Sequence, residues 1–487
     1  MYQPGSPFKV YQPKAWYSDA WDPMDYGQDI DWNRSFWEQY RELQLKVPRL
    51  GIDIVNCENS EFCNYCGDDK NCFLDIAGEG NEDCYYNLFT KYSKNCVDNT
   101  FVYNSTLAYE SIQCYESYNV GWSMYLDHCS DSFFCFDMKG CKNCLFSRNL
   151  RNKEYHIFNQ PVTKEEYQEK LKQVLSGSYS KVEEWKKKWL EYRLKNAIYR
   201  DMVNLNTENC LGDGIKNSKN CFGAYNVSGC EDSKYLNDVL DAKDCQDLNY
   251  SLYDPEVAYE LISTLSMKYS AFDMASHYCS TSFYCDLCNN STDLFACIGL
   301  NHKQYCILNR QYSKEEYEAL VPRLIAKMRE EGVWGEFFDP QLSPFGYNET
   351  VAQEYYPLEK EEALKLGFVW SDYVSPAPKV NKVVKASQLP DTIAQVPDEI
   401  LDWAIECEVS GRPFKVIKQE MKFLREHGLP LPRRHPDVRH LDRMKLRNPR
   451  KLFDRSCMKC SKPISTTYAP DRPEKVYFEE CYLKEVY

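Results

Sequence analysis

The sequence predicts a mainly β chain with two tandem parallel β-helix (solenoid) modules. Each module runs into helices, and a small C-terminal zinc-ribbon-like α+β domain follows. Three observations predict this. A short phrase of small polar residue, spacer, Asn, Asp or Gln, then Cys and an aromatic or aliphatic residue keeps returning, as in Asp69-Lys-Asn-Cys72-Phe, Asn81-Glu-Asp-Cys84-Tyr, Ser93-Lys-Asn-Cys96-Val and Ser218-Lys-Asn-Cys221-Phe. The chain also repeats itself at an offset of 150: Cys129, Cys135, Tyr155 and Asn159 match Cys279, Cys285, Tyr305 and Asn309, and Thr163-Lys-Glu-Glu166 matches Ser313-Lys-Glu-Glu316. Finally, Cys457-Met-Lys-Cys460 stands near the C-terminus with Cys481 behind it.

A fixed short phrase without helical periodicity is what stacked coils require, because each turn presents the same residue to the next. Cysteines 72, 84 and 96 are twelve apart, and 129, 135 and 141 are six apart. Within the phrase, Cys and its follower form a short strand whose side chains face opposite ways. The preceding Asn or Asp sits at a corner, where it tolerates a left-handed backbone and can stack into a ladder along the coils. A right-handed helix with irregular coils fits best; a left-handed six-residue-repeat helix is the alternative.

In chain order, residues 1–50 are an aromatic segment ending in a helix. Phe36, Tyr40 and Leu43 lie on one side of it, suited to cap the first coil. Residues 51–200 hold the first module, whose coils end near 160. A helix follows, begun by the capping box Thr163…Glu166, and after Ser176-Gly-Ser a second helix carries Trp185, Trp189 and Tyr192. The second module with its helix and aromatic loops spans 201–373, and 374–396, rich in Pro, Lys and Val, reads as a linker. Residues 397–487 form a basic treble-clef or zinc-ribbon-like domain.

Composition narrows the function classes. The chain has 24 Cys and 38 Tyr among 487 residues. No secretion signal and no apolar run of membrane-spanning length is present, so a cytoplasmic protein without a membrane partner is expected, its cysteines free thiols packed as small hydrophobes. A disulfide-rich exported protein is the rival reading of the even count. The net charge of −14 is unevenly distributed: Gly411 to Ser456 carries fourteen Lys and Arg against five Asp and Glu, +9, leaving −23 elsewhere.

Zinc is the expected cofactor, held by Cys457, Cys460 and Cys481. A complete ribbon would place the fourth cysteine three residues before Cys481, where this chain has Phe478. A weaker second site has the same layout, with Cys407 and His435 beside Ser410 and Val438. No residues stand out as catalytic: phosphate-cradling Gly loops, Gly-x-Ser-x-Gly and His-Glu-x-x-His are absent from the sequence.

The stretches Leu429-Pro-Leu-Pro-Arg-Arg-His-Pro-Asp-Val-Arg-His, Thr467-Tyr-Ala-Pro-Asp-Arg-Pro-Glu-Lys-Val-Tyr and Ser343-Pro-Phe-Gly-Tyr-Asn-Glu-Thr resemble a family of uncharacterised Cys/Asn-rich repeat proteins from candidate-phylum bacteria. Family members carry zinc-ribbon or treble-clef ends, and some bear a CaiB/BaiF label. The resemblance implies a metal-binding end and no activity. It also marks departures: the family has full cysteine pairs where this chain has Ser410, His435, Val438 and Phe478. An N-terminal zinc module survives only as the remnant from Met1 to Tyr11.

Three function classes follow. The first is a non-enzymatic binding or scaffold protein with an unknown protein partner. The second is a nucleic-acid- or ribosome-associated protein using residues 411–456, with Arg433, Arg434, Arg439, Arg443, Lys445 and Arg447 on phosphates. The third is a carbohydrate-active β-helix enzyme with Asp68, Asp69, Asp75 and Asp98 on one coil face. The basic stretch also has a bland reading, docking on the acidic repeats.

Overall fold

The computed structural model describes residues 2–487, so Met1 of the N-terminal remnant lies outside it. The chain is mixed α/β, with long parallel sheets, where a mainly β chain was expected; helices at the module ends and in the C-terminal domain make the difference.

Between Ile54 and Ile157 the chain bridges itself in parallel at an offset of twelve residues. Four series of bridges run side by side, through Glu58–Lys70–Glu82–Lys94, Glu61–Phe73–Tyr85–Val97, Asn64–Ile76–Leu88–Thr100 and Gly67–Glu79–Lys91–Tyr103. The working unit is therefore three residues: a bend, an inward side chain and a ladder residue. The bends are left-handed, and Asn71, Asp83, Asn95 and Gln113 adopt φ of 53°, 54°, 52° and 50°, as the cysteine phrase predicts.

The same conformation also falls on Leu74, Tyr86, Phe101 and Trp122, with φ of 48° to 59°. It costs such residues about 1–2 kcal/mol each. Stacking along the twelve-residue offset offsets part of that, since an aromatic pair contributes about 0.5–1.5 kcal/mol beyond its burial. Phe89 lies on Phe101 at 4.6 Å, Trp122 on Phe134 at 4.8 Å, and Phe134 on Phe146 at 5.1 Å. The polar bends stack likewise: Asn59 Nδ2 donates to Asn71 Oδ1 at 2.9 Å, and Asn220 to Asp232 at 2.6 Å.

Inward positions are held mostly by Cys and Ser, with a few larger aliphatics such as Leu126 and Met138, and cysteine and serine serve because each also has a proton to donate. Cys84 Sγ donates to the carbonyls of Glu82 (3.4 Å) and Ser93 (3.5 Å). Ser93 Oγ donates to the Lys91 carbonyl at 2.9 Å and accepts the amide of Ser105 at 3.2 Å. Ser105 Oγ accepts the amide of Ser117, and Ser117 Oγ that of Cys129. The backbone groups that the bends release are thus satisfied from inside. All 24 cysteines are free thiols, most of them buried.

The second region, from Leu205 to Ile307, follows the same rule with one offset of eleven (Leu205 on Lys216) and one of thirteen (Leu248 on Leu261). Both regions end alike. The last strand turns back on itself, His156 against Pro161 and Cys306 against Gln311. Each then enters a helix through a complete capping box, Thr163 with Glu166 and Ser313 with Glu316. Tyr155 meets Tyr167, and Tyr305 meets Tyr317, both at 5.8 Å.

The two regions lie side by side and antiparallel. The start of the first meets the end of the second, with Asp53 3.4 Å from His277, while Lys216 at the start of the second lies 4.3 Å over Tyr115. Helix α1 (Phe36–Lys46) does not cap the first coil. Its aromatic face packs on the second region and the loop after it, Phe36 against Tyr284 (5.4 Å) and Tyr40 against Phe338 (5.2 Å). The second region's aromatic column attracts it, and Arg49 fixes it through a buried ion pair with Asp286 at 2.6 Å. The first region's flank is covered instead by α2 (Lys164–Val174), α3 (Tyr179–Asn196) and the C-terminal domain, and α4 (Lys314–Glu330) is the second region's counterpart of α2. The presumed linker also has structure: Lys382–Lys385 pairs in parallel with Trp403–Glu406, and of its four side chains only Val384 is buried.

One inward carboxyl makes a pH-dependent prediction. Asp273 is fully buried, and burial pushes its pKa up to about 7 despite hydrogen bonds from Ser282 and the Cys285 amide. A raised carboxyl pKa means that the folded state holds the proton longer than the unfolded chain. Stability from this group therefore falls as pH rises from about 4 to 7. At about 1.4 kcal/mol per pH unit the span is on the order of 4 kcal/mol. Asp273→Asn is expected to gain on the wild type over that window in urea melts at pH 4.5 and 7; parallel profiles contradict the assignment.

Candidate metal centre

The C-terminal domain builds the same small unit twice, fifty residues apart. In the first, Trp403–Glu406 pairs with Pro413–Phe414 and the turn between them carries Cys407. In the second, Phe453–Ser456 pairs with Pro463–Thr466 around Cys457. Both turns close identically. The Cys407 amide donates to the Arg412 carbonyl and that of Cys457 to Lys462, while Gly411 and Ser461 return their amides to the cysteine carbonyls at φ of 67° and 62°. A helix follows each: α6 (Pro436–Met444) after α5 (Lys418–Glu426) in the first unit, and α7 (Glu479–Val486) in the second.

The residue before each helix aims its amide at the cysteine: His435 N lies 3.2 Å from Cys407 Sγ, and Phe478 N 3.2 Å from Cys457 Sγ. Burial pushes the Cys457 thiol up, but the amides of Phe478, Cys460 and Lys459 outweigh it and leave it at about 7. Cys407 is likewise lowered, its burial outweighed by donors from Ser410, His435 and Val409. Such donors stabilise a thiolate, the form that binds metal.

Only the second unit gathers ligands. The sulfurs of Cys457, Cys460 and Cys481 lie within 4.8 Å of one another, a spacing that modest closure converts to tetrahedral coordination. Phe478 contributes its amide, while its ring lies under Lys462 Nζ at 3.6 Å. A four-coordinate ion held by these three sulfurs would have one position left for water or an outside donor. In the first unit Ser410 and Val438 stand where Cys460 and Cys481 stand in the second. The His435 imidazole is already engaged: its Nδ1 accepts the Asp437 amide at 3.1 Å as the cap of α6.

The basic residues turn inward. Arg439 and Arg443 are buried and share Asp98, which is fully buried; Arg443 Nη1 lies 2.9 Å from it, and Arg439 also meets buried Glu420 at 2.9 Å. Arg433 lies over Tyr179 at 4.3 Å, and Arg447 over Phe101 at 4.3 Å. Arg434 pairs with Glu408 at 2.8 Å and Asp442 at 2.9 Å, whereas Lys445 stays largely exposed. Sequence reasoning found these arginines but not their partners. Asp98 is one of many acidic bends, and only the docking of α6 distinguishes it.

The four acids expected on one coil face are separated. Asp68 and Asp98 are bends at φ of 57° and 59°, while Asp69 and Asp75 point inward. Between the two repeat regions lies a cavity of about 670 Å³, lined among others by Asp53, Glu79, Lys91, Tyr253 and His277. No helix among the described residues is long and apolar enough to cross a membrane. No protein-family model matches the chain, and no curated protein matches it.

Proposed function

We propose that the protein is a non-enzymatic scaffold acting in the cytoplasm. In this reading each repeat region is a closed four-sided coil, and the second C-terminal unit is a zinc-stabilised knuckle on Cys457, Cys460 and Cys481. One observation carries the reading: inward Ser, Cys and Asn side chains spend their hydrogen bonds on the coil's own backbone, as along Ser93, Ser105, Ser117 and Cys129. Side chains committed in this way are structural, and the exposed ladders remain as the surface offered to a protein partner.

The purified full-length chain is expected to carry zinc that Cys457→Ser and Cys481→Ser reduce at least tenfold, by elemental analysis. Unchanged zinc in both variants removes the knuckle. Turnover on a panel of oligosaccharides, abolished by substituting Asp53 or Glu79 in the cavity, replaces the scaffold with an enzyme. Nucleic-acid contact is the second reading, resting on lysines that docking leaves exposed, Lys422 and Lys445, whose side chains are 74% and 75% accessible. A gel shift whose affinity falls with salt supports it, and absence of a shift removes it.

A further inference from the structure

We propose that the first repeat region holds a divalent metal ion of the zinc or ferrous class inside its early coils, on Asp69, Cys72 and Asp75. These are three successive inward positions, 1%, 2% and 0% exposed, and their ligand atoms lie within 4.8 Å of one another. The donors are partly held in place by Asn81. Its amide donates to Asp69 Oδ1 at 2.9 Å, and its Nδ2 to Asp75 Oδ2 at 2.9 Å.

The remaining oxygens, Asp69 Oδ2 and Asp75 Oδ1, have no hydrogen-bond partner. Other buried carboxylates of the chain are neutralised or bonded: Asp98 by two arginines, Asp286 by Arg49, and Asp273 by Ser282 and an amide. Asp69 and Asp75 face no Lys or Arg, and two adjacent buried carboxylates without a cation are costly.

The space beside them is shaped by a missing side chain. At Gly78 a Cβ would fall 2.8 Å from the unpartnered Asp69 Oδ2 and 2.7 Å from Asp75 Oδ2. Any other residue there fills the place where the carboxylates converge. Gly78 also lines the cavity between the two regions, as does Cys66, so the glycine gives an ion a route from the cavity to the carboxylates. Cys66, whose Sγ donates to the Asp75 carbonyl at 3.1 Å, supplies a further thiol beside them. Two carboxylates with one or two thiolates are a mixed set that suits Zn²⁺ or Fe²⁺ better than Ca²⁺ or Mg²⁺, which take oxygen ligands.

This centre is separate from the C-terminal knuckle, and metal counting distinguishes them. The full-length wild type, reconstituted with Co²⁺ and freed of excess, is expected to bind two equivalents. Cys457→Ser/Cys481→Ser should retain one, with a thiolate-to-cobalt absorption band that Cys72→Ser weakens. The near-isosteric Asp69→Asn/Asp75→Asn should lose that equivalent and keep the knuckle's. One equivalent in the wild type that the knuckle variant abolishes, or an Asp69→Asn/Asp75→Asn protein that still binds two, overturns the proposal. The wild-type stoichiometry needs no variant to fold.

Discussion

Asp98→Asn is expected to destabilise the protein by about 3–5 kcal/mol in urea unfolding, the range for removing one partner of a buried ion pair. Asparagine keeps the left-handed bend at φ 59°, which it tolerates, and removes only the charge. The guanidinium groups of Arg439 and Arg443 would then share Glu420 and the Tyr86 carbonyl, with nothing else anionic in contact. Burial opposes the charge on Arg439, and Asp98 and Glu420 outweigh it and hold its pKa above the ordinary arginine value. Loss of Asp98 is therefore expected to detach α6 from the first region, so that trypsin cuts within 433–451 in the variant before the wild type. A stability change under 1 kcal/mol with unchanged cleavage contradicts the arrangement.

The second large effect lies on the opposite flank. Tyr284 is fully buried where α1 meets the second region, with Phe36 at 5.4 Å, Phe272 at 4.5 Å and Phe338 at 5.9 Å. Its hydroxyl also accepts the Gly335 amide at 3.1 Å. Tyr284→Ala removes a ring from a closed aromatic cluster and is expected to cost about 3–5 kcal/mol. The bend conformation is not at issue, because tyrosine and alanine share the left-handed penalty. The diagnostic readout is location: α1 should be released, and proteolysis should remove residues before 50 while the first region stays intact. Uniform destabilisation without N-terminal release argues against the docking.

Much of this architecture was legible because its causes are local. The bends before Cys72, Cys84, Cys96, Cys114 and Cys221 are written as Asn, Asp or Gln, residues that accept a left-handed backbone, and the capping boxes at Thr163 and Ser313 are short-range hydrogen-bond patterns. The twelve-residue offset was visible in cysteine spacing. The three-residue unit was hidden, because its other bends fall on Leu74, Tyr86, Phe101 and Trp122, residue types that carry no such signal. Their tolerance comes from neighbours one coil away. Cys457 and Cys460 were readable as a candidate metal pair from their Cys-x-x-Cys spacing. Asp69 and Asp75 looked like surface acids of coil corners, since nothing local separates a bend residue from the inward one beside it. The destinations of α1 and of Arg439 and Arg443 were illegible for another reason: Tyr284 and Asp98 lie more than 200 residues away, chosen by shape and charge at the far end.

The docking of α1 on the second region sets a timetable for synthesis. Tyr284 lies 248 residues beyond Phe36. At about 5–20 residues per second, the helix waits roughly 12–50 s for its seat to emerge. Throughout that interval the partners of Phe36, Trp37 and Tyr40 in the second region and the loop after it are missing, while the first region can already form its parallel bridges at the twelve-residue offset. The α1 segment is thus among the last parts to settle, and a chaperone holding its aromatic face would act while the second region is still being made.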